Sequence, residues 1–272
     1  MIEVSLSSAD GTELYGRHWP ADTPKAVMAI AHGFGEHCGR YDHMAAHLNA
    51  QGIAVVALDF RGHGKSGGKR GIVKSYDDFR ADLDALLTQT RGLYPDAPLV
   101  LYGHSMGGGI VLDHGARKLD ALPIIASAPL IALTDPIPRA LRGLVKFLGK
   151  IWANGGIGQP IDGAKISNLP QEQTLYVEDP LNHGKLGFRL AEGMVSTGEQ
   201  LQSAASNWDR PLLLMHSKAD QLTSFQRSAD FADAAQQVEF HAFETSQHEM
   251  HNDRPRAQIY ALMTDFILKQ TS

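Results

Sequence analysis

The pentapeptide Gly103-His104-Ser105-Met106-Gly107 sets a serine between glycines, directly after the apolar run Pro98-Leu99-Val100-Leu101-Tyr102 and before a helix-like stretch from Gly108 to Lys118. A strand–turn–helix of this kind holds the serine on a strained elbow with Oγ exposed, and the glycines avoid the clash a Cβ would make where the turn doubles back. A serine hydroxyl becomes a useful nucleophile only when a base takes its proton. With this elbow the acid and the base come later in the chain, each after a further strand. Asp220 ends Ser217-Lys218-Ala219-Asp220 after the run closing at His216, and His248 lies in Glu244-Thr245-Ser246-Gln247-His248-Glu249 after the last apolar run. Asp220 would hold His248 in the productive tautomer and stabilise its imidazolium. Asp135 and Asp179 are rival acids, and His251 is the rival base. Two backbone donors must face the oxyanion. One is the Met106 N–H, and the other is expected from Phe34 in His32-Gly33-Phe34-Gly35-Glu36-His37. Removing one such donor typically costs about 3–4 kcal/mol. The Phe34 ring either walls the acyl pocket or simply packs.

Other patterns suggest chemistry that their surroundings do not support. Gly62-His63-Gly64-Lys65-Ser66-Gly67 has dinucleotide-loop spacing, but Gly68-Lys69-Arg70-Gly71 follows where a helix should open. As a phosphate loop it has Asp59 in place of the first glycine. His43 and His47, or His248 and His251, share spacings that suit a metal, yet neither pair sits in H-E-x-x-H and no third ligand suggests itself. Neither metal nor cofactor is expected. Cys38 cannot form an internal disulfide. It is read as a small packed residue, or as a reagent-sensitive thiol if partly exposed.

These candidates need a scaffold that lines them up. Val4 and Leu6 alternate with polar residues, Asp10-Gly11 turns the chain, and Leu14 to Trp19 returns, which predicts a hairpin. Short runs then recur at Ala26–Ala31, Ile53–Leu58, Leu99–Tyr102, Pro123–Ala126, Pro211–His216 and Val238–Phe243, with little alternation, as strands covered on both faces should have. Between them Ser75-x-x-Asp78 reads as a capping box before Phe79, Leu83, Leu86 and Leu87, and Ile259, Leu262, Met263, Phe266 and Ile267 form a closing helical stripe. Strand alternating with helix predicts an α/β fold, a mostly parallel sheet with helices on both faces.

From Pro129 to Asp209 no sheet strand is evident, and a structureless loop of that length is implausible. The expected organisation is a core of residues 1–128 and 210–272 with an inserted cap, or lid, at 129–209. One helical stripe stands out there: Ile137, Leu141, Leu144, Val145, Leu148, Ile151 and Trp152, with Arg139, Arg142, Lys146 and Lys150 between them and no acidic residue from Ile137 to Gln159. On a chain of formal charge -5 this basic amphipathic stretch predicts either contact with an anionic lipid surface or a helix packed on the core. Gly143 and Gly149 each weaken it by up to about 1 kcal/mol relative to Ala, which suits a mobile lid. Leu141, Leu144, Val145 and Leu148 are the candidate substrate-contacting residues. The N-terminus has neither a basic nor an apolar leader, and no run approaches the roughly 18 apolar residues of a membrane span. A cytoplasmic protein is therefore expected, with no pull towards nucleic acid.

Three blocks resemble monoacylglycerol lipases and related lysophospholipases, which are α/β-hydrolases with a serine nucleophile. They are His32-Gly33-Phe34-Gly35-Glu36-His37-Cys38-Gly39-Arg40-Tyr41, Asp59-Phe60-Arg61-Gly62-His63-Gly64-x-Ser66-x-Gly68 and Gly103-His104-Ser105-Met106-Gly107-Gly108. The resemblance continues through Gly158-x-Pro160-Ile161-Asp162, Asp179-Pro180-Leu181, Ser217-x-Ala219-Asp220 and His248-Glu249, and so spans nearly the whole chain. It implies Ser105, Asp220 and His248 as the triad and the Phe34 and Met106 amides as the oxyanion hole. It also implies a cap that docks on membranes and admits acyl chains. Departures concentrate in the cap, at Asn154-Gly155-Gly156 and from Asn182 to Phe188, where chain length and leaving group would be set. The expected activity is hydrolysis of monoacyl lipid esters through an acyl-enzyme. The alternatives are a short-chain carboxylesterase, a C–C bond hydrolase and a silent ligand receptor on the same scaffold.

Overall fold

A computed structural model of the chain describes residues 1–158 and 160–270. The N-terminal alternation becomes β1 (Ile2–Ser7) and β2 (Glu13–Trp19), antiparallel with Ile2 opposite His18. Gly11 turns the chain at φ +80°, and the Asp10 carboxylate accepts the Thr12 N–H at 3.1 Å. The next four strands, β3 (Ala26–Ala31), β4 (Ile53–Leu58), β5 (Leu99–His104) and β6 (Ile124–Ser127), are buried at every position. A short antiparallel ribbon of β7 (Gly156–Gly158) and β8 (Lys185–Gly187) stands apart from the main sheet. The sheet resumes with β9 (Leu212–Ser217) and ends at β10 (Val238–Phe243), giving the order β1-β2-β4-β3-β5-β6-β9-β10. From β4 to β10 neighbouring strands run parallel, so the fold is the expected α/β-hydrolase sheet with an antiparallel hairpin at one edge. Val238–Phe243 departs from the expectation of a strand covered on both faces. It is the far edge of the sheet, and only Phe243 is buried.

Helices cover both faces. Along β3, Ala26, Met28 and Ile30 enter one buried cluster while Val27, Ala29 and Ala31 enter the other, the two-residue period of a strand. The first cluster also contains Met44 and Leu48 of α1 (Asp42–Ala50). On the second, α2 (Asp77–Leu93) buries the predicted Phe79, Leu83, Leu86 and Leu87, beside α3 (Met106–Ala116). The Ser75 Oγ accepts the Asp77 N–H at 3.2 Å and the Asp78 carboxylate accepts the Ser75 N–H at 3.3 Å, but Tyr76, not Ser75, takes the cap position of α2 and makes no side-chain cap bond. α3 begins two residues earlier than the sequence suggested.

Residues 129–209 leave the sheet between β6 and β9. Where the sequence showed one helix, the structure has four among the described residues: α4 (Arg139–Ile151), α5 (Gly163–Ile166), α6 (Pro170–Glu178) and α7 (Phe188–Ala204). α7 is no free-standing lid element, since Leu190, Met194 and Leu201 join the same buried cluster as α2 and α3. After β9, α8 (Phe225–Ala234) packs Phe231 into that cluster. α9 (Arg256–Gln270) closes the α1 face with Ile259, Met263, Phe266 and Ile267.

Candidate active site

Ser105 sits between β5 and α3 at φ 52°, a left-handed conformation that a non-glycine residue adopts only when its surroundings enforce it. Three hydrogen bonds do so: the Ser105 N–H donates to the Ser127 carbonyl at 3.0 Å, and its own carbonyl accepts the Gly109 and Leu130 N–H groups. A Cβ on Gly103 would strike the Gly107 carbonyl, and one on Gly107 would strike the carbonyls of Ala31 and His32. Both glycines are required by close approach. Met106 opens α3, whose first N–H groups have no partner within the helix and face outward from its positive end.

Asp220 follows β9 and His248 follows β10, and the topology brings them together. His248 Nδ1 lies 2.7 Å from Asp220 Oδ2, which assigns the proton to Nδ1 and leaves Nε2 basic. Asp220 is held from several sides. Its Oδ1 accepts the N–H groups of Leu222 (2.7 Å) and Thr223 (3.1 Å), while His216 Nε2 and the Thr223 hydroxyl lie 3.1 and 3.0 Å from Oδ2. Burial alone would raise the Asp220 carboxyl, but His248 and His216 overcome it and hold the acid well below the usual range. For His248, burial disfavours the charged ring, and the adjacent Asp220 reverses this and raises its pKa above 6.5. The His248 ring lies against that of His104, the residue before Ser105, with centroids 4.7 Å apart.

The loop after β3 brings Gly33 beside Ser105, close enough that a Cβ on Gly33 would lie 3.2 Å from the serine Cβ. His32 Nε2 accepts the Phe60 N–H at 2.9 Å, so Nδ1 carries the proton and donates to the Gly33 carbonyl at 2.7 Å. Burial pushes His32 down to about 4, keeping the ring neutral. The Phe34 ring packs edge-on against His63 and His183. Residues 129–209 hold both loops from outside: the Lys165 and Ile166 carbonyls accept the His248 and Glu249 N–H groups, and the His183 N–H donates to the Gly35 carbonyl.

The rivals lie elsewhere. Asp135 is exposed, and Asp179 pairs with His37 Nε2 at 2.9 Å. His251 is buried between the rings of Tyr41 and His104, both its nitrogens lack hydrogen-bond partners, and burial pushes it down to about 3. Cys38 is fully buried and its thiol is pushed up, which removes the reagent-sensitive reading. The Gly62–Gly67 loop folds around Asp59, whose carboxylate accepts the Cys38 and Lys65 N–H groups, and α2 starts only at Asp77. Of the four candidate substrate-contacting residues, Leu141 and Leu144 are about half exposed, at 49% and 52%, while Val145 and Leu148 are half-buried. Sequence reasoning passed over the supports His216 and Thr223 and the buried charges Glu36, Arg40 and Glu249. Charged residues directly flanking the Gly33–Phe34 loop and His248 were the available signal.

The family model described as serine aminopeptidase, S33, matches residues 22–255. A monoacylglycerol lipase of Mycolicibacterium smegmatis is 32% identical over 271 residues, covering 98% of this chain and 96% of the lipase. A monoglyceride lipase of Rattus norvegicus is 32% identical over 256 residues, covering 92% of this chain and 84% of the relative. Among solved structures, the monoacylglycerol lipase of Paleococcus ferrophilus superposes with a TM-score of 0.86 at 26% identity, over 95% of this chain and 99% of that one. With the elbow, the parallel sheet and a match that runs almost end to end, this chain is an ester hydrolase that belongs to the serine aminopeptidase S33 family of α/β-hydrolases, together with the monoacylglycerol lipases.

Proposed function

We propose that the protein hydrolyses carboxylic esters of monoacyl lipids through an acyl-enzyme on Ser105. His248 Nε2 takes the Oγ proton as Oγ adds to the ester carbonyl, and the Phe34 and Met106 N–H groups receive the oxyanion. The tetrahedral adduct collapses, the C–O bond to the alcohol breaks, and His248 gives its proton to the departing alcohol. Water, deprotonated by His248, then attacks the acyl carbon, the bond to Ser105 Oγ breaks, and His248 returns the proton to Oγ as the fatty acid leaves. The observation that carries this reading is the 2.7 Å Asp220–His248 contact beside a serine held at φ 52°.

Residues 129–209 serve as the cap over this site. Lipid preference is supported by the names of the relatives and by α4, whose Leu141, Leu144, Phe147, Ile151 and Trp152 are exposed. Such a face suits peripheral contact of a cytoplasmic enzyme with a lipid surface. Among the described residues no helix is long and apolar enough to cross a membrane.

The test is a hydrolysis panel of monoacylglycerols, lysophospholipids and short p-nitrophenyl esters, run beside fluorophosphonate labelling. Ser105→Ala should fold, resist labelling and lose nearly all turnover. Wild-type turnover in that variant would remove Ser105 from the mechanism, and a preference for short esters over monoacyl lipids would remove the lipid assignment.

A further inference from the structure

Two carboxylates and one arginine are buried together behind the oxyanion loop. Glu36 and Glu249 are each 2% exposed, and the Arg40 side chain lies between them at 6%. Glu36 Oε1 accepts the Gly33 N–H and, at 2.9 Å, the Tyr41 O–H. Arg40 Nε is 3.5 Å from Glu36 Oε2, and Arg40 Nη2 donates to Glu249 Oε2 at 2.5 Å. Glu249 directly follows His248 and also accepts the Asn252 Nδ2–H at 2.9 Å. A buried ion pair is weak evidence for stability, because desolvation cancels most of the attraction. Its placement between the two loops of the site is the informative feature.

We infer that Glu36 is a positioning residue for the reaction: it fixes the chain at Gly33 and, through Arg40 and Glu249, ties the oxyanion loop to the loop that carries His248. This rests on the roles proposed above for Ser105, His248 and the Phe34 amide. Gly33 must lack a side chain, because a Cβ would lie 2.8 Å from Glu36 Oε1 and 3.2 Å from the Ser105 Cβ. A glycine is therefore unavoidable at the point where conformational freedom is least affordable. The freedom is removed by gripping Gly33 at both ends, its N–H by Glu36 and its carbonyl by His32. The peptide is planar and trans, so fixing the Gly33 carbonyl fixes the Phe34 N–H in the opposite direction. Releasing Glu36 lets this donor swing away from where charge develops.

The same network sets the charge around the base. Glu36 faces Arg40 and Tyr41 on its own segment, Glu249 from the base loop, Tyr102 from β5 and Tyr176 from α6. His248 faces Asp220 and His104, and the negative charges of Glu249 and Glu36 favour its protonated form.

The experiment uses the full chain with Glu36→Ala and Glu36→Gln, reading kcat and KM on a short soluble ester from pH 5 to 9, with thermal melting. Glu36→Ala should lower kcat about 10- to 100-fold with KM within about threefold. Glu36→Gln keeps an acceptor for the Gly33 N–H, so it should recover most of kcat at unchanged KM. Wild-type kcat in folded Glu36→Ala overturns the proposal. So does equal loss of kcat in both variants, which is the signature of a merely structural role. If Glu36→Ala does not fold, Glu36→Gln decides alone, and a kcat more than about tenfold below wild type in that folded variant overturns the proposal. Ser105→Ala run in parallel separates the two readings. Activity there defeats the site assignment, whereas an inactive Ser105→Ala beside a fully active Glu36→Ala defeats only the positioning role.

Discussion

Ser105 is kept in a backbone conformation that costs about 1–3 kcal/mol, and the surrounding sheet supplies the constraint. That strain was legible in sequence, because two glycines at fixed offsets from a serine have no simpler explanation. The choice between His248 and His251 as the expected base was less so, since both follow β10. The structure separates them by their neighbours: His248 has a carboxylate at 2.7 Å, whereas His251 has only rings. A pH dependence follows. Burial opposes the charged form of His248 and Asp220 more than restores it, so the pKa lies above 6.5. Only the neutral ring can take the serine proton, so kcat/KM on a soluble ester should rise with pH through an acid limb centred above 6.5. His248→Ala should abolish turnover, and His251→Ala should leave the limb in place. A limb that survives in His248→Ala would transfer the base role elsewhere.

At the scale of elements, the sheet was readable because its strands are continuous apolar runs, whereas residues 129–209 resisted for a physical reason. α7 carries Gly193 and Gly198, which weaken a helical pattern. A Cβ on Gly193 would lie 2.8 Å from the Tyr76 Cβ, and one on Gly198 would strike the Ile131 carbonyl. The residues that obscured the helix are those that let it pack closely, so tertiary contact overrides local propensity here. The Pro170 start of α6 was a legible signal that went unused. In sequence the α4 segment presents four equivalent cations, and the structure divides them. Arg142 pairs with Glu199 and Glu192, and Lys146 lies 3.7 Å from Glu192, all on α7. Arg139 and Lys150 have no such ion pair among the described residues. Replacing Leu144, Phe147 and Ile151 with Gln should therefore weaken binding to phosphatidylglycerol vesicles by at least about tenfold, since burying a large apolar side chain is worth about 1.5–3 kcal/mol and these are already half exposed. Reversing Arg139 and Lys150 should cost about 1 kcal/mol each and fade in high salt. Turnover of a soluble ester should hardly change. Equal slowing of soluble and vesicle substrates would make α4 a structural wall instead.

The whole molecule carries an unusual load of buried histidine. His32, His63, His104 and His251 are each at most 1% exposed. Burial pushes His32 down to about 4 and His251 to about 3, and it pushes His63 and His104 well below 6.5. Below pH 6.5 the unfolded chain takes up protons that the folded chain refuses, so these rings contribute stability that is present above 6.5 and lost as pH falls towards their folded values. His18 and His183, also lowered, act in the same direction. Glu36 acts oppositely. Burial and Glu249 raise it to about 7, so around pH 5 the folded chain holds a proton there that the unfolded chain has largely released. His248 is raised, so its contribution is complete below 6.5 and adds no slope at pH 5. Six lowered rings against one raised carboxyl leave a net uptake of protons on unfolding near pH 5, so stability falls as the pH drops from 6 to 5. Denaturant melts between pH 6 and 5, with calorimetry in buffers of different ionisation heat, measure both quantities. Equal stability at the two pH values would mean that these rings are protonated in the native state, and the neutral His32 that grips the Gly33 carbonyl would go with them.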